Sequence, residues 1–191
     1  MKRVLSLLLF VAMISSTAIA QATWKVDNAH AKLTFSTVHL GISDVAGLFN
    51  EFDATIVAAE DDFSDATFEL TVKVASIDTE VGMRDDHLRS PDFFEVKKYP
   101  EMTFKSTSIK KTGQDRYALT GDLTIRDITK PVTMDLWYRG TIENPQSKAP
   151  TAGFQVTGTI KRSDFNVGPK FPAAMISDEV SIKADGEFVK Q

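Results

Sequence analysis

Three histidines are the side chains of this chain best suited to binding a metal ion. His30, His39 and His87 could hold zinc together with a carboxylate, because imidazole and carboxylate groups are both zinc ligands. Their spacing fits no compact zinc motif, and they fall on different predicted elements. The sequence therefore predicts no metal site. His39 would either meet the polar end of a ligand or be satisfied by the backbone, and His87 would pack or hydrogen-bond within an insertion.

Charged side chains around His87 resemble an acid–base cluster. Arg84, Asp85, Asp86 and Arg89 would lie on one short helix, where such groups more commonly form surface ion pairs worth less than about 1 kcal/mol each. The sequence has no Ser-His-Asp order, phosphate-binding glycine loop or paired-carboxylate motif. It also has no cysteine for thiolate chemistry. We therefore expect a protein that is not an enzyme and has no catalytic residues.

The N-terminus has the features of a secretory signal peptide. Two basic residues precede an apolar run over residues 4–14, and the small-residue sequence Ala-Ile-Ala ends at Ala20. This run is too short for a membrane span. We expect a signal peptide over residues 1–20, cleavage near Ala20-Gln21, and a periplasmic or secreted protein.

The remaining residues, 21–191, suit one domain. The whole chain has 26 acidic and 22 basic residues, a formal net charge of −4. An acidic chain has no electrostatic attraction to nucleic acid, so we expect no nucleic-acid partner. The lack of cysteine means that the exported domain depends on its core rather than on disulfide bonds.

Eight segments alternate apolar and polar residues with the period of a β-strand. Eight such strands predict an all-β sandwich or closed barrel, and closure is favoured because it leaves no exposed strand edges. An eight-stranded barrel either is filled by side chains or holds one small ligand. A change of spacing at Asn50-Glu51 indicates a bulge. The segments lie near residues 33–39, 49–56, 68–74, 102–106, 117–125, 132–138, 154–160 and 180–188.

Charged residues occupy the strand faces opposite the apolar ones. A lipid-facing band of a membrane barrel would not tolerate them, so we expect a protein that does not span a membrane. These residues are Glu69, Lys73, Lys105, Asp122, Asp135, Arg139 and Lys183.

Residues 79–100 interrupt the alternation with a long connection. Asp78 or Thr79 is suited to cap a helix, and Ser90-Pro91 is suited to begin a second one. We therefore expect a short helical insertion at about residues 79–98. It would cover one barrel end, as a fixed plug or a mobile lid, with three apolar residues: Leu88, Phe93 and Phe94.

Long, ordered motifs run through the chain from Trp24 to Phe165. In chain order they are Trp24-x-Val26-Asp27-x-x-His30, Leu33-x-Phe35, His39-Leu40-Gly41, Val45-x-Gly47-x-Phe49-x-x-Phe52, Ser76-Ile77-Asp78-Thr79, Arg84-Asp85-x-His87-Leu88-Arg89-Ser90-x-Asp92-Phe93-Phe94, Lys98-Tyr99-Pro100-x-Met102-x-Phe104-x-Ser106, Gly121-Asp122-Leu123-Thr124-Ile125, Thr129-Lys130-Pro131-Val132 and Ile160-x-Arg162-x-Asp164-Phe165. Together they resemble the YceI family. The resemblance implies an exported, lipocalin-like, eight-stranded antiparallel barrel over residues 21–191 that binds polyisoprenoids or other long amphiphiles.

Two turns depart from the family pattern. Arg126-Asp127 stands where a glycine is usual, and so does Asn166. The loop that follows Asn166 runs through two prolines, so ligand choice could differ from that of the family if this loop borders the cavity.

We therefore expect a binding protein that carries or sequesters one apolar amphiphile, such as a polyisoprenoid, an isoprenoid quinone or a fatty-acid-like lipid. No other cofactor is expected, and a homodimer is neither predicted nor excluded. The alternative is a stress-response or interaction module with a filled core, and a hydrolase is the weaker candidate. Strand phase and the insertion predict these ligand-binding residues: Phe35, His39, Phe49, Phe52, Phe68, Leu70, Phe93, Phe94, Phe104, Leu119, Met134, Leu136, Phe154, Val156 and Arg162.

Overall fold

The computed structural model of the chain describes residues 20–191, so the predicted signal peptide falls outside the described residues except for Ala20. The described part is mostly strand, with one short α-helix. The elements are β1 Ala22–His39, β2 Ser43–Phe49, β3 Phe52–Ala58, β4 Thr67–Lys73, β5 Ile77–Asp78, α1 Gly82–Arg89, β6 Glu101–Gly113, β7 Arg116–Ile125, β8 Ile128–Glu143, β9 Pro150–Lys161 and β10 Glu179–Lys190.

These ten strands form the predicted closed, eight-stranded antiparallel barrel. β2 and β3 are two halves of one long strand along β1, and β5 continues β4 beyond a single 3-10 turn. The chain then runs strand to neighbouring strand around the ring from β6 to β10. β10 pairs with β1 and closes it.

The predicted irregularity at Asn50-Glu51 is the break between β2 and β3. It lies beside the 3-10 turn between β4 and β5, so two breaks in neighbouring strands face each other. The backbone amides of Asn50 and Glu51 donate to the carbonyl and hydroxyl oxygens of Ser76, at 3.1 and 3.0 Å. These bonds satisfy the groups that a regular ladder would have paired.

An aromatic cluster closes one end of the barrel. Phe63, from the loop between β3 and β4, lies with its ring centroid 4.9 Å from Phe154, 5.0 Å from Tyr138 and 5.2 Å from Trp24. The hydroxyl of Tyr117 donates to the carbonyl of Asp62 at 2.6 Å and fixes this loop. No periodic pattern in the sequence indicates this closure.

The crossover between β5 and β6 contains α1 as its only helix. The predicted cap at Asp78 or Thr79 is wrong, because Val81 is the N-cap and has no side-chain hydrogen bond. The buried carboxylate of Asp85 instead accepts from the amide and hydroxyl of Thr79, at 2.9 and 2.5 Å. Among the described residues, no helix has the length and apolar composition needed to cross a membrane.

The second predicted helix start, at Ser90-Pro91, is also wrong. The chain forms turns there: the amides of Phe93 and Glu95 both donate to the carbonyl of Ser90. Glu95 has a left-handed φ of 52°, and this reversal leaves too few residues after Pro91 for a helix.

Candidate ligand-binding cavity

The barrel is hollow between its closed end and the crossover. The cavity has a volume of about 540 Å³, within the range of roughly 300–1,000 Å³ typical of small-molecule sites. Inward-facing side chains such as Phe52, Leu70 and Leu123 are only half-buried although they lie inside the barrel. They keep accessible surface because they border open space.

Strand register builds the cavity wall. Ala54 pairs with Leu70, Leu70 with Phe104, and Phe104 with Leu123, so four apolar residues form a belt across four strands. Each of them lines the cavity. The belt follows from the period-two pattern, since paired residues on neighbouring strands point to the same face.

Two inward glycines make room for neighbouring side chains. A Cβ atom at Gly121 would lie 2.5 Å from the ring of Phe104, and one at Gly158 would lie 2.1 Å from the sulfur of Met134. Both neighbours line the cavity. The glycines therefore set how these two side chains lie along the wall.

Fourteen of the fifteen predicted ligand-binding residues line the cavity, and Leu136 does not. Leu136 faces inward but is packed in the aromatic cluster at the closed end, with 1% of its surface exposed. The ligand-binding role of the other residues stays a prediction. They are Phe35, His39, Phe49, Phe52, Phe68, Leu70, Phe93, Phe94, Phe104, Leu119, Met134, Phe154, Val156 and Arg162.

Arg162 reaches the cavity wall as part of a structural clamp. Its guanidinium has five N–H groups, and all five positions donate to backbone carbonyls of the loop that follows. The side chain therefore has no N–H left for a ligand, and it does not pair with the exposed Asp164, although the two residues are close in sequence. The acceptors are Ser177 at 3.1 Å, Val167 at 3.0 Å, Gly168 at 2.7 Å, Phe171 at 2.5 Å and Ile176 at 3.0 Å.

The cavity reaches the surface opposite the closed end, where its lining residues His39, His87 and Met175 are exposed. We call this opening the mouth. It is bordered by the β1–β2 hairpin, by α1 and by residues 166–176. The sequence predicts His39 as a ligand-binding residue and the helical insertion as the cover of one barrel end, but it does not indicate His87 or Met175 as ligand-binding residues.

An aromatic stack joins the crossover to the loop over residues 166–176. The rings of Phe93 and Phe171 stack with centroids 4.8 Å apart, and the imidazole of His87 lies edge-on to both. Asp92 adds polar contacts, 2.7 Å from the Lys170 amine and 3.3 Å from the His87 imidazole. The hydrogen bond from Lys170, followed by that from His87, lowers the pKa of Asp92.

The three histidines do not converge on one site. His30 is not part of the cavity lining. It lies where the register of β1 on β10 shifts, between Val26 and Ala31. Its imidazole nitrogen is 2.9 Å from Asp27 and close to Glu187. Among residues 20–191, Asp27, His30 and Glu187 are the one group of three such side chains compact enough to share a cation. Its hydrogen bond with Asp27 raises the pKa of His30. The hydrogen bond between His30 and Asp27 is enough to account for the short distance between these two side chains.

Comparisons with known proteins agree with this architecture. The YceI-like domain model matches residues 24–188. Protein YceI of Escherichia coli is 38% identical over 192 residues, which cover 100% of this chain and 98% of that protein. A UPF0312 protein of Photorhabdus laumondii is 38% identical over 88% of this chain and 90% of its own length.

Solved structures share the fold. The crystal structure of BcnA from Burkholderia cenocepacia superposes with a TM-score of 0.73 at 30% identity, over 85% of this chain and 98% of that one. A polyisoprenoid binding domain from Saccharophagus degradans, implicated in plant cell wall breakdown, superposes with a TM-score of 0.68 at 15% identity. It covers 90% of this chain and 100% of its own, and at this identity the likeness concerns the fold alone.

Proposed function

This chain belongs to the YceI-like family, and we propose that it binds one elongated apolar molecule inside its barrel. The observation that carries the proposal is the hollow interior of about 540 Å³, walled by apolar side chains. The Saccharophagus degradans domain with the same fold is named for polyisoprenoid binding, which suggests a ligand class. A polyisoprenoid, an isoprenoid quinone or a fatty-acid-like lipid all offer the long apolar chain that such a wall accepts.

Binding would draw its free energy from removing the chain of the ligand from water. Each methylene transferred into an apolar site contributes about 0.8 kcal/mol. A polar end group would stay at the mouth, near His39 and His87, because both side chains are exposed there and also border the cavity.

The proposal includes export, since residues 1–20 have the features of a signal peptide. A long apolar molecule leaves water spontaneously, so its passage through an aqueous compartment needs an enclosed carrier. The hollow interior favours this role over an interaction module, which would have a filled core. A catalytic role is not part of the proposal, because apolar side chains dominate the lining.

Co-purification provides the first test. Organic extraction of the purified protein followed by mass spectrometry should recover a long-chain lipid. A prenyl alcohol added to delipidated protein should bind and raise the melting temperature, because a ligand that binds only the folded state stabilises it. Protein that is reproducibly empty and binds no prenyl chain would contradict the proposal.

A matched pair of variants on β9 locates the site. Val156 lines the cavity, so Val156→Trp should fill space and weaken prenyl-alcohol binding at least about tenfold. Thr159 is exposed on the same strand, and Thr159→Trp should leave binding unchanged. Equal loss in both variants, with both folded by circular dichroism, would place binding outside the cavity.

A further inference from the structure

Exposed apolar side chains concentrate at the mouth. Residues 20–191 expose seven large hydrophobic side chains, and six lie on the segments around the mouth. Met83 and Ile42 are 88% and 84% exposed. The seventh, Ile142, lies at the far end of β8, toward the closed end of the barrel. We call five of the six the apolar rim: Leu40, Ile42, Val81, Met83 and Met175.

The segments that carry the apolar rim are neighbours. The amide of Leu40 donates to the carbonyl of Met175 at 3.0 Å, which joins the β1–β2 hairpin to the loop before β10. On the other side of the hairpin, β2 packs against the start of the crossover, since a Cβ at Gly47 would lie 2.8 Å from the Thr79 side chain. The hairpin with Ile42 therefore lies between the segment of Met175 and that of Val81 and Met83.

The apolar rim is continuous with the cavity. Met175 is at once exposed and part of the cavity lining. His39 and Arg84, next in sequence to Leu40 and Met83, also line the cavity. A chain that leaves the cavity through the mouth would thus pass from an apolar wall to an apolar rim, rather than directly into water.

The charges around the apolar rim do not favour an anionic surface. Asp44, Glu80 and Asp86 are exposed on the same segments, and the exposed Lys170 is paired with the Asp92 carboxylate at 2.7 Å. The guanidinium of Arg84 is engaged, with donations of 2.7 Å to the hydroxyl and carbonyl oxygens of Thr79. Attraction to anionic lipid requires clusters of exposed basic residues, whereas partition into a neutral interface requires apolar side chains.

We propose that the apolar rim inserts into the surface of an electrically neutral lipid bilayer, so that the ligand passes between bilayer and barrel without crossing water. The proposal rests on the proposed function for its purpose, but four of the five rim residues, Leu40, Ile42, Val81 and Met83, lie outside the cavity lining, and only Met175 belongs to both. Surface patches of this kind beside a binding site mark interaction surfaces.

The test uses the mature full-length chain and phosphatidylcholine vesicles in a flotation assay. The double variant Ile42→Ser/Met83→Ser should reduce vesicle partition roughly a hundredfold, since burial of each of the two side chains is worth about one decade in an equilibrium constant. The control Ile142→Ser removes an exposed apolar residue at the opposite end and should partition like the wild type. Equal partition of all three proteins would overturn the proposal.

Two further measurements distinguish this proposal from the proposed function. A prenyl alcohol supplied from cyclodextrin should bind the double variant as tightly as the wild type, while transfer of the same probe from vesicles should slow at least about tenfold. If neither protein binds the alcohol but only the wild type floats with vesicles, the proposed function fails and the docking surface stands.

Three other outcomes would overturn the docking proposal. The first is a double variant that floats less but accepts the probe from vesicles at the wild-type rate. The second is a wild-type dimer by light scattering that dissociates in the double variant, which would assign the apolar rim to contacts between copies. The third is partition that requires phosphatidylglycerol, which would mean that basic residues, not the apolar rim, hold the bilayer.

Discussion

At the scale of single residues, Arg162 is a buried cation that is satisfied entirely by backbone carbonyls. The side chain is 8% exposed, and its five hydrogen bonds tie residues 167–177 to the barrel. The planar fork of a guanidinium suits this geometry, and a lysine ammonium has only three donors. The clamp therefore depends on arginine itself.

We predict that Arg162→Lys lowers the free energy of unfolding by about 3 kcal/mol, because at least two buried carbonyls lose their donors. Urea denaturation monitored by circular dichroism measures this loss. The neighbouring exposed Lys161 provides the control, since Lys161→Ala should change stability by less than about 0.5 kcal/mol. Equal, small effects of the two substitutions would contradict a clamp.

Asp62 links stability to pH at the closed end. Hydrogen bonds from Ser64, and then from Lys111, lower the pKa of Asp62 from 3.8 to about 2. A carboxyl with a lowered pKa in the folded state stabilises the protein above its unfolded pKa. That stability is lost as the pH falls through the folded pKa.

We predict that Asp62→Asn destabilises the protein at pH 6 but has progressively less effect as the pH falls from about 4 toward about 2. The effect should stay below about 1 kcal/mol, since Asp62 is half-exposed and water screens its ion pair with Lys111. Urea midpoints of the two proteins between pH 2 and pH 6 (roughly the range of carboxyl titration) measure it. A difference between the two urea midpoints that does not change with pH would contradict the assignment of this stability to the Asp62 carboxylate. The control is Asp122→Asn, on an outward face of β7.

At the scale of elements, the β7–β8 hairpin uses two left-handed residues in place of glycine. Arg126 and Asp127 have φ values of 52° and 57°. The two positions differ in their side-chain contacts. Arg126 donates to the carbonyl of Asn166 and to Glu95 and lies over the ring of Tyr99, so it connects the hairpin to the crossover and to the loop near the mouth.

We predict opposite effects of glycine at these two positions. Asp127→Gly should stabilise the protein by about 0.5 kcal/mol, because glycine adopts a left-handed conformation without strain and the exposed aspartate is not needed. Arg126→Gly should destabilise it by about 1–3 kcal/mol, because the contacts of the buried guanidinium are lost. Thermal unfolding of both variants measures the two signs. Stabilisation by both would show that backbone strain alone governs the turn, and destabilisation by both would contradict the relief of strain at Asp127.

The strands could be predicted from the sequence, because period-two alternation states directly which side chains share a face. The closed end could not: the loop that carries Phe63 has no periodic pattern, and its packing depends on contacts with distant strands. Alternation also says which face points inward but not how far along the barrel a residue lies. For this reason Leu136 was assigned to the cavity although it packs in the closed end.

The polar interactions of the mouth were harder still to predict. Arg162 and Asp164 are close in sequence, a spacing that favours a local ion pair, but the 3-10 turn over Arg162–Phe165 directs the guanidinium into the loop. The sequence predicts a cap of the helix by Asp78 or Thr79, whereas in the structure Thr79 donates to the carboxylate of Asp85. In each case a tertiary contact replaced the local one that sequence spacing favours.

At the scale of the whole molecule, the barrel is filled at one end and hollow toward the other. Tilted and edge-on ring contacts at the closed end and the clamp of Arg162 near the mouth hold the two ends of the barrel, and the section between them has space inside. Apolar wall atoms beside that space lack packing partners, so a bound chain would supply contacts that the protein alone does not have. Ligand binding and stability should therefore be coupled.

Phe93 and Phe94 separate the two roles of the crossover, fixed plug and mobile lid. Phe93 is 5% exposed and stacked on Phe171, while Phe94 is half-buried and has a single ring contact, with Phe49 at 6.2 Å. Both border the cavity.

We predict that Phe93→Ala lowers the free energy of unfolding by about 3–4 kcal/mol, whereas Phe94→Ala lowers it by less than half of that and mainly speeds ligand release. Urea denaturation of the empty proteins and the dissociation rate of a bound prenyl alcohol measure the two effects. Phe52→Ala, which removes a half-buried wall residue of β3, is the control for simple loss of ligand contact. If Phe94→Ala and Phe52→Ala speed release equally, the crossover is a plug; a release rate several-fold higher for Phe94→Ala alone identifies it as the lid through which the ligand leaves.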